Sequence, residues 1–131
     1  MLPRRDFDAM VARAVEGIPK KFRERIKNVA ILVEDEPSVA TRVSEGLEDG
    51  ETLLGLYHGV PAIARGEGYG VGPTMPDTIT LFKIPIEEEG GGEPSKVEEV
   101  IRDTIWHEYA HYFGMDESEV QKWEDEREGT T

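Results

Sequence analysis

The sequence predicts one domain, residues 1–131, built from both helices and strands. Three observations carry this. A length of 131 residues suits a single hydrophobic core. Two stretches, near 7–15 and 97–105, repeat apolar residues at helical spacing. Three short runs, near 29–33, 52–57 and 78–84, are apolar or alternating and rich in β-branched residues, as strands are.

The elements follow in order. Asp6 precedes Phe7, Met10, Val11, Ala14 and Val15, which reads as an N-cap and the buried stripe of an amphipathic helix ended by Gly17. Pro19 can open a second short helix, with Phe22 and Ile26 on its buried side. Val29 to Val33 is a continuous apolar run and reads as a buried strand. Val39 to Leu47 is ambiguous between helix and loop, and Thr52 to Tyr57 reads as a second strand. Gly59 to Asp77 holds five glycines and three prolines and must be a loop. Its glycine run fits neither the dinucleotide nor the P-loop spacing. Thr78 to Ile84 reads as a third strand, and Pro85 after it suggests a sheet edge. Glu87 to Glu93 reads as an acidic flexible loop. Ser95, with Glu98 three residues on, makes a capping box for a helix. That helix runs through Val97, Val100, Ile101 and Ile105 to Phe113, where Gly114 stops it. Ser118 and Gln121 open a last short helix holding Val120 and Trp123.

Composition narrows the function. There is no cysteine, which excludes disulfides, thiolate metal sites and cysteine nucleophiles. The net charge of −13 argues against nucleic acid as a partner, because phosphate binding needs clustered Lys and Arg. No apolar run is long enough for a membrane span. The N-terminus breaks into charge at once and lacks the apolar core of a signal peptide, so the expected location is cytoplasmic. Asn28 and Gln121 are the only amide side chains, and with many ion-forming residues this composition suits a thermophile.

The segment that carries chemistry is His107-Glu108-Tyr109-Ala110-His111-Tyr112-Phe113-Gly114. Residues four apart on a helix project from one face. Two imidazoles so placed can bind one zinc ion with Zn–N bonds of about 2 Å. Glu108, beside the first ligand, can reach an activated water without ligating the metal. Catalytic zinc usually has three protein ligands and an open position. Just past the reversal at Gly114 stand Asp116 and Glu117, and either carboxylate could complete the set. Spacing favours Glu117, ten residues after His107. The bland alternative is a pair of exposed helix histidines with an incidental glutamate. His58, at a strand-to-loop junction, is a further candidate for a fourth ligand or a substrate contact. Tyr69 and Tyr112 are candidate donors to an oxyanion, although Tyr112 lies near the Ile101 and Ile105 stripe and suits packing better. Trp106 and Trp123 read as packing residues.

At these residues the sequence resembles the small bacterial zincin-like metallopeptidase family, the minimal zincins. The likeness is carried by Asn28-Val-Ala-Ile-Leu-Val-Glu-Asp-Glu-Pro, Leu54-Gly-Leu-Tyr-His-Gly-Val-Pro, Pro76-Asp-Thr-Ile-Thr-Leu-Phe-Lys and His107-Glu-Tyr-Ala-His-Tyr-Phe-Gly-Met-Asp-Glu. It implies an α+β domain in which a small mixed β-sheet packs on an active-site helix with flanking helices. An edge strand, here Thr78 to Ile84, would line a substrate cleft. The family usually has aspartate at the eleventh motif position, where this chain has Glu117, with Asp116 one earlier. There is no methionine turn after the motif, so the larger metzincin pattern is incomplete.

The expected function is zinc-dependent peptide-bond hydrolysis. Glu108 would be the general base, and His107, His111 and Glu117 the ligands of one zinc ion. Other first-row metals suit the same donors. The partner would be a peptide or protein substrate, bound extended by strand addition. The competing expectation is a catalytically silent metal-binding module, whose acidic surface suits a basic partner. A zinc-dependent endoribonuclease would need a third histidine after the glycine and a basic groove, and the chain has neither.

Overall fold

A computed structural model describes residues 1–26, 28–59 and 76–114, together with Ser118 and Lys122. The expected last helix, with Val120 and Trp123, and most of the 59–77 loop, with Tyr69, lie outside the described residues.

The first helix, α1 (Arg4–Glu16), buries Phe7, Met10, Val11 and Ala14, as the apolar stripe requires. It starts earlier than expected. Pro3 is the N-cap, and its carbonyl accepts the N–H groups of Asp6 and Phe7 at 3.0 and 3.1 Å. Asp6 is therefore a first-turn residue, where its charge opposes the positive end of the helix dipole. A single turn, α2 (Lys20–Arg23), follows Pro19. Strand β1 (Val29–Glu34) shows Leu32 and Glu34 to solvent and turns Ile31 and Val33 toward the core. The ambiguous segment is a short helix, α3 (Val39–Ser44), capped by the Ser38 hydroxyl, which accepts the Thr41 N–H at 3.1 Å.

Strands β2 (Gly55–His58) and β3 (Asp77–Phe82) complete a three-stranded mixed sheet of order β1-β3-β2. The pairing of β1 with β3 is parallel and that of β2 with β3 antiparallel. This overturns the expectation that the third strand is an edge. β3 is central, and among its residues only Thr78 is not buried. Pro85 gave the wrong signal because the strand has already ended. Lys83 opens a new helix, α4 (Lys83–Glu89), and Pro85 is its third residue. In a first turn the N–H that proline lacks would have no partner within the helix. The acidic run is correspondingly only part loop. Glu87 is buried on α4, and the chain then reverses through Gly90, Gly91 and Gly92.

The long helix α5 (Pro94–Tyr112) begins with proline at its first position, so Glu93 is its N-cap and Ser95 is not. Its buried face carries Val97, Ile101 and Ile105, which join Phe7, Met10, Val11, Ile79, Leu81 and Ile86 in the core. Together these elements make an α+β domain. Among the described residues no helix is long and apolar enough to cross a membrane.

Candidate metal centre

The last two turns of α5 bring three donors together. His107 and His111 are half-buried and Glu108 between them is buried. One donor atom from each lies within 4.8 Å of the others. The two imidazole rings stand 4.9 Å apart at 74°. The one-turn spacing of the motif is therefore realised on one helix face, with both histidines half-buried. Trp106, Tyr109, Ala110 and Tyr112 take the opposite, buried side and fix the helix's rotation. Trp106 packs edge-on against Phe22 at 5.7 Å. Phe113 then caps the helix, and Gly114 turns the chain away at φ 82°, a backbone conformation that glycine adopts without strain.

The donor chemistry fits zinc. Two imidazoles and a nearby carboxylate, in a chain with no thiolate, form the kind of donor set that can hold a borderline cation. Asp116 and Glu117, the alternatives for a third ligand, lie outside the described residues. His58 ends β2 at the surface, and among the described residues it does not join the donor group.

One feature of the centre does not come from the motif. Glu108 Oε1 accepts the backbone N–H of Tyr57 at 2.8 Å, across 51 residues of sequence. The strand hydrogen-bonded to the centre is thus β2, which among the described residues is a sheet edge, and not β3. Close approach of α5 to β2 depends on Gly55. A Cβ there would meet Thr104 Cγ2 at 2.7 Å, the Thr80 carbonyl oxygen at 3.3 Å and Glu108 Cγ at 3.4 Å. The Tyr57 ring stands edge-on to Tyr112 at 6.1 Å, and its hydroxyl donates to Asp77 Oδ2. Tyr112 is buried and its hydroxyl donates to the Arg25 carbonyl at 3.3 Å. That is the packing role the sequence favoured for it. Burial pushes the Tyr109 phenol above its ordinary pKa, so it stays protonated.

Gly55, Tyr57 and Asp77 were absent from the sequence-based set of site residues. A strand glycine signals close backbone approach, and Gly55 carried that signal. Nothing local in the sequence pairs Tyr57 with Glu108.

A helix that presents two imidazoles and a buried carboxylate beside an edge strand defines a metal-site domain of the zincin class. The sequence profile of the zincin-like metallopeptidases matches residues 26–127, and the chain belongs to that family. No curated protein matches the chain.

Proposed function

We propose that this protein is a zinc-dependent peptidase in which Glu108 is the general base. His107 and His111 would hold the ion, with Glu117 or its neighbour Asp116 as third ligand. The observation that carries the reading is the convergence of two half-buried imidazoles and a buried glutamate on one helix face. Membership of the zincin-like metallopeptidases supports it.

A zinc ion held there would supply Lewis acidity, both to a water and to the scissile carbonyl. Glu108 would take the proton of the attacking water and deliver it to the leaving amine. Its Oε1 is fixed by the Tyr57 N–H, so the direction of the whole carboxylate is set before substrate arrives. Pre-set groups need no reorganisation at the moment of reaction. The substrate would lie extended along β2, whose outer edge faces no other strand among the described residues, and would pair with outward backbone groups other than the Tyr57 N–H that Glu108 takes.

Two measurements test this. Wild type, His107→Ala and His111→Ala are purified and their zinc content compared; equal content in all three removes the metal site. Glu108→Gln is then assayed against a peptide library. Retained zinc with hydrolysis reduced by a factor of about a hundred or more fits a general base. Full hydrolysis in that variant refutes the role. Tight zinc binding with no hydrolysis by wild type favours the silent metal-binding module.

A further inference from the structure

The base is held by a short strand. β2 has four residues, and among the described strands it pairs with β3 alone. The Leu54 carbonyl accepts the Phe82 N–H at 2.9 Å. In an antiparallel ladder the backbone groups alternate in direction. Leu56 and His58 therefore turn theirs toward β3, and Gly55 and Tyr57 turn theirs outward. The outward N–H of Tyr57 is the one that Glu108 takes. Whatever fixes Tyr57 fixes the base.

The Tyr57 side chain supplies such an anchor. Its hydroxyl donates to the carboxylate of Asp77, the first residue of β3. Asp77 is 3% exposed, and its own N–H donates to the Asn28 carbonyl at 2.8 Å, which ties it to the start of β1. Gly59 lies directly against that carboxylate: a Cβ at Gly59 would come within 2.2 Å of Asp77 Cγ. The buried carboxylate therefore has the Tyr57 hydroxyl on it and the backbone just past β2 against it.

We propose that Asp77 is a positioning residue for Glu108, acting through Tyr57. The link runs from the Asp77 carboxylate to the Tyr57 hydroxyl, along the Tyr57 residue to its N–H, and on to Glu108 Oε1. Among the described residues the donor group is His107, Glu108 and His111, and it includes neither Asp77 nor Tyr57. Each sets where the base sits. The inference rests on Glu108 being the base, but its central geometric claim is measurable without turnover.

The test uses the full chain with Tyr57→Phe, Asp77→Ala and Asp77→Asn. Tyr57→Phe removes one hydroxyl and keeps the ring, so the fold survives. In metal-free protein, exchange of the Tyr57 amide hydrogen, followed by NMR, should speed up about tenfold in Tyr57→Phe and in Glu108→Ala, as expected for a weakened or lost hydrogen bond. In zinc-loaded enzyme Tyr57→Phe should lower kcat roughly tenfold to a hundredfold, the sensitivity seen for sub-ångström misplacement, with KM and zinc affinity unchanged. Asp77→Asn keeps an acceptor for the hydroxyl and should recover most of what Asp77→Ala loses. In a Glu108→Gln background the Tyr57→Phe effect on turnover should vanish. Unchanged Tyr57 exchange in a folded Tyr57→Phe protein overturns the inference. So does a fall in zinc affinity that matches the fall in kcat. If the exchange results hold while wild type cleaves no peptide, the positioning stands and the peptidase reading falls.

Discussion

Gly55→Ala tests the packing of the centre with a single added methyl. The φ of Gly55 is not in the left-handed region, so the backbone accepts an alanine and the cost comes from space alone. The new Cβ would sit 2.7 Å from Thr104 Cγ2, closer than carbon atoms pack. Thr104 cannot simply rotate, because its hydroxyl donates to the Val100 carbonyl at 2.7 Å. Rotation would forfeit that bond, worth about 1 kcal/mol. Moving α5 away instead opens the contact with β2 and falls in the range of about 1–3 kcal/mol for an overpacked core. Against this, alanine restricts the unfolded chain and gains roughly 0.4–1 kcal/mol. The net loss is about 1–2 kcal/mol, a fall in Tm of roughly 3–8 °C for a domain of this size. Urea unfolding supplies the first assay. The second is the double variant Gly55→Ala with Thr104→Ser, which deletes Cγ2 and keeps the hydroxyl. It should recover most of the loss, a coupling that independent sites do not show. If the Thr104 clash is relieved by moving α5, Glu108 moves with it, so the single variant should also lose turnover under the proposed mechanism. A Gly55→Ala protein as stable as wild type, or a double variant no better than the sum of its parts, refutes the reasoning.

Two further outcomes follow from side chains away from the centre. Lys83 Nζ lies 2.7 Å from Glu87 Oε1, both side chains are almost fully buried, and the Leu2 N–H donates to the same oxygen at 3.2 Å. Lys83→Ala strands that carboxylate and should cost about 3–5 kcal/mol, whereas Lys83→Met with Glu87→Leu should cost much less; equal losses in urea midpoint would show that the stranded charge is not the cause. Arg13 on α1 hydrogen-bonds Glu98 on α5, and that bond holds the Glu98 carboxyl below its ordinary pKa. A carboxyl lowered by folding contributes stability above its unfolded pKa and loses it as pH falls through the folded value. Glu98→Gln should therefore be less stable than wild type at neutral pH, with the gap closing in acid, and a gap independent of pH in urea titrations counts against it.

What was legible in the sequence was what a helix decides within a few residues. The stripe from Phe7 to Ala14 and the stripe from Val97 to Ile105 are buried as their spacing requires. The His107–His111 pair needed only one helical turn, so its shared face could be read directly. Boundaries were less legible where proline was the signal. Pro3 and Pro94 moved two helix starts ahead of the polar residues expected to cap them. Pro85 marked a helix start and not a sheet edge, because proline's missing N–H is tolerated in both places and sequence does not tell them apart. The strand order was out of reach for a different reason. Which strand becomes central depends on pairings between β1 and β3, separated by the whole of α3 and β2.

The same limit applies to the centre. Five residues of helix specify two imidazoles and a carboxylate, but not where the carboxylate points. That is decided by a hydrogen bond from a strand 51 residues away. The bond forms only because Gly55 lets α5 close on β2. A buried glutamate without such a donor carries an unfavourable desolvation cost and relieves it by turning away or binding a proton. Held by the Tyr57 N–H, Glu108 keeps both its burial and its orientation beside the two imidazoles. The motif therefore supplies the chemical groups, and the β2 register turns them into a site. A chain with the same helix but alanine at Gly55 would retain its histidine pair and lose the alignment of Glu108, so under the proposed mechanism zinc binding and turnover should separate there.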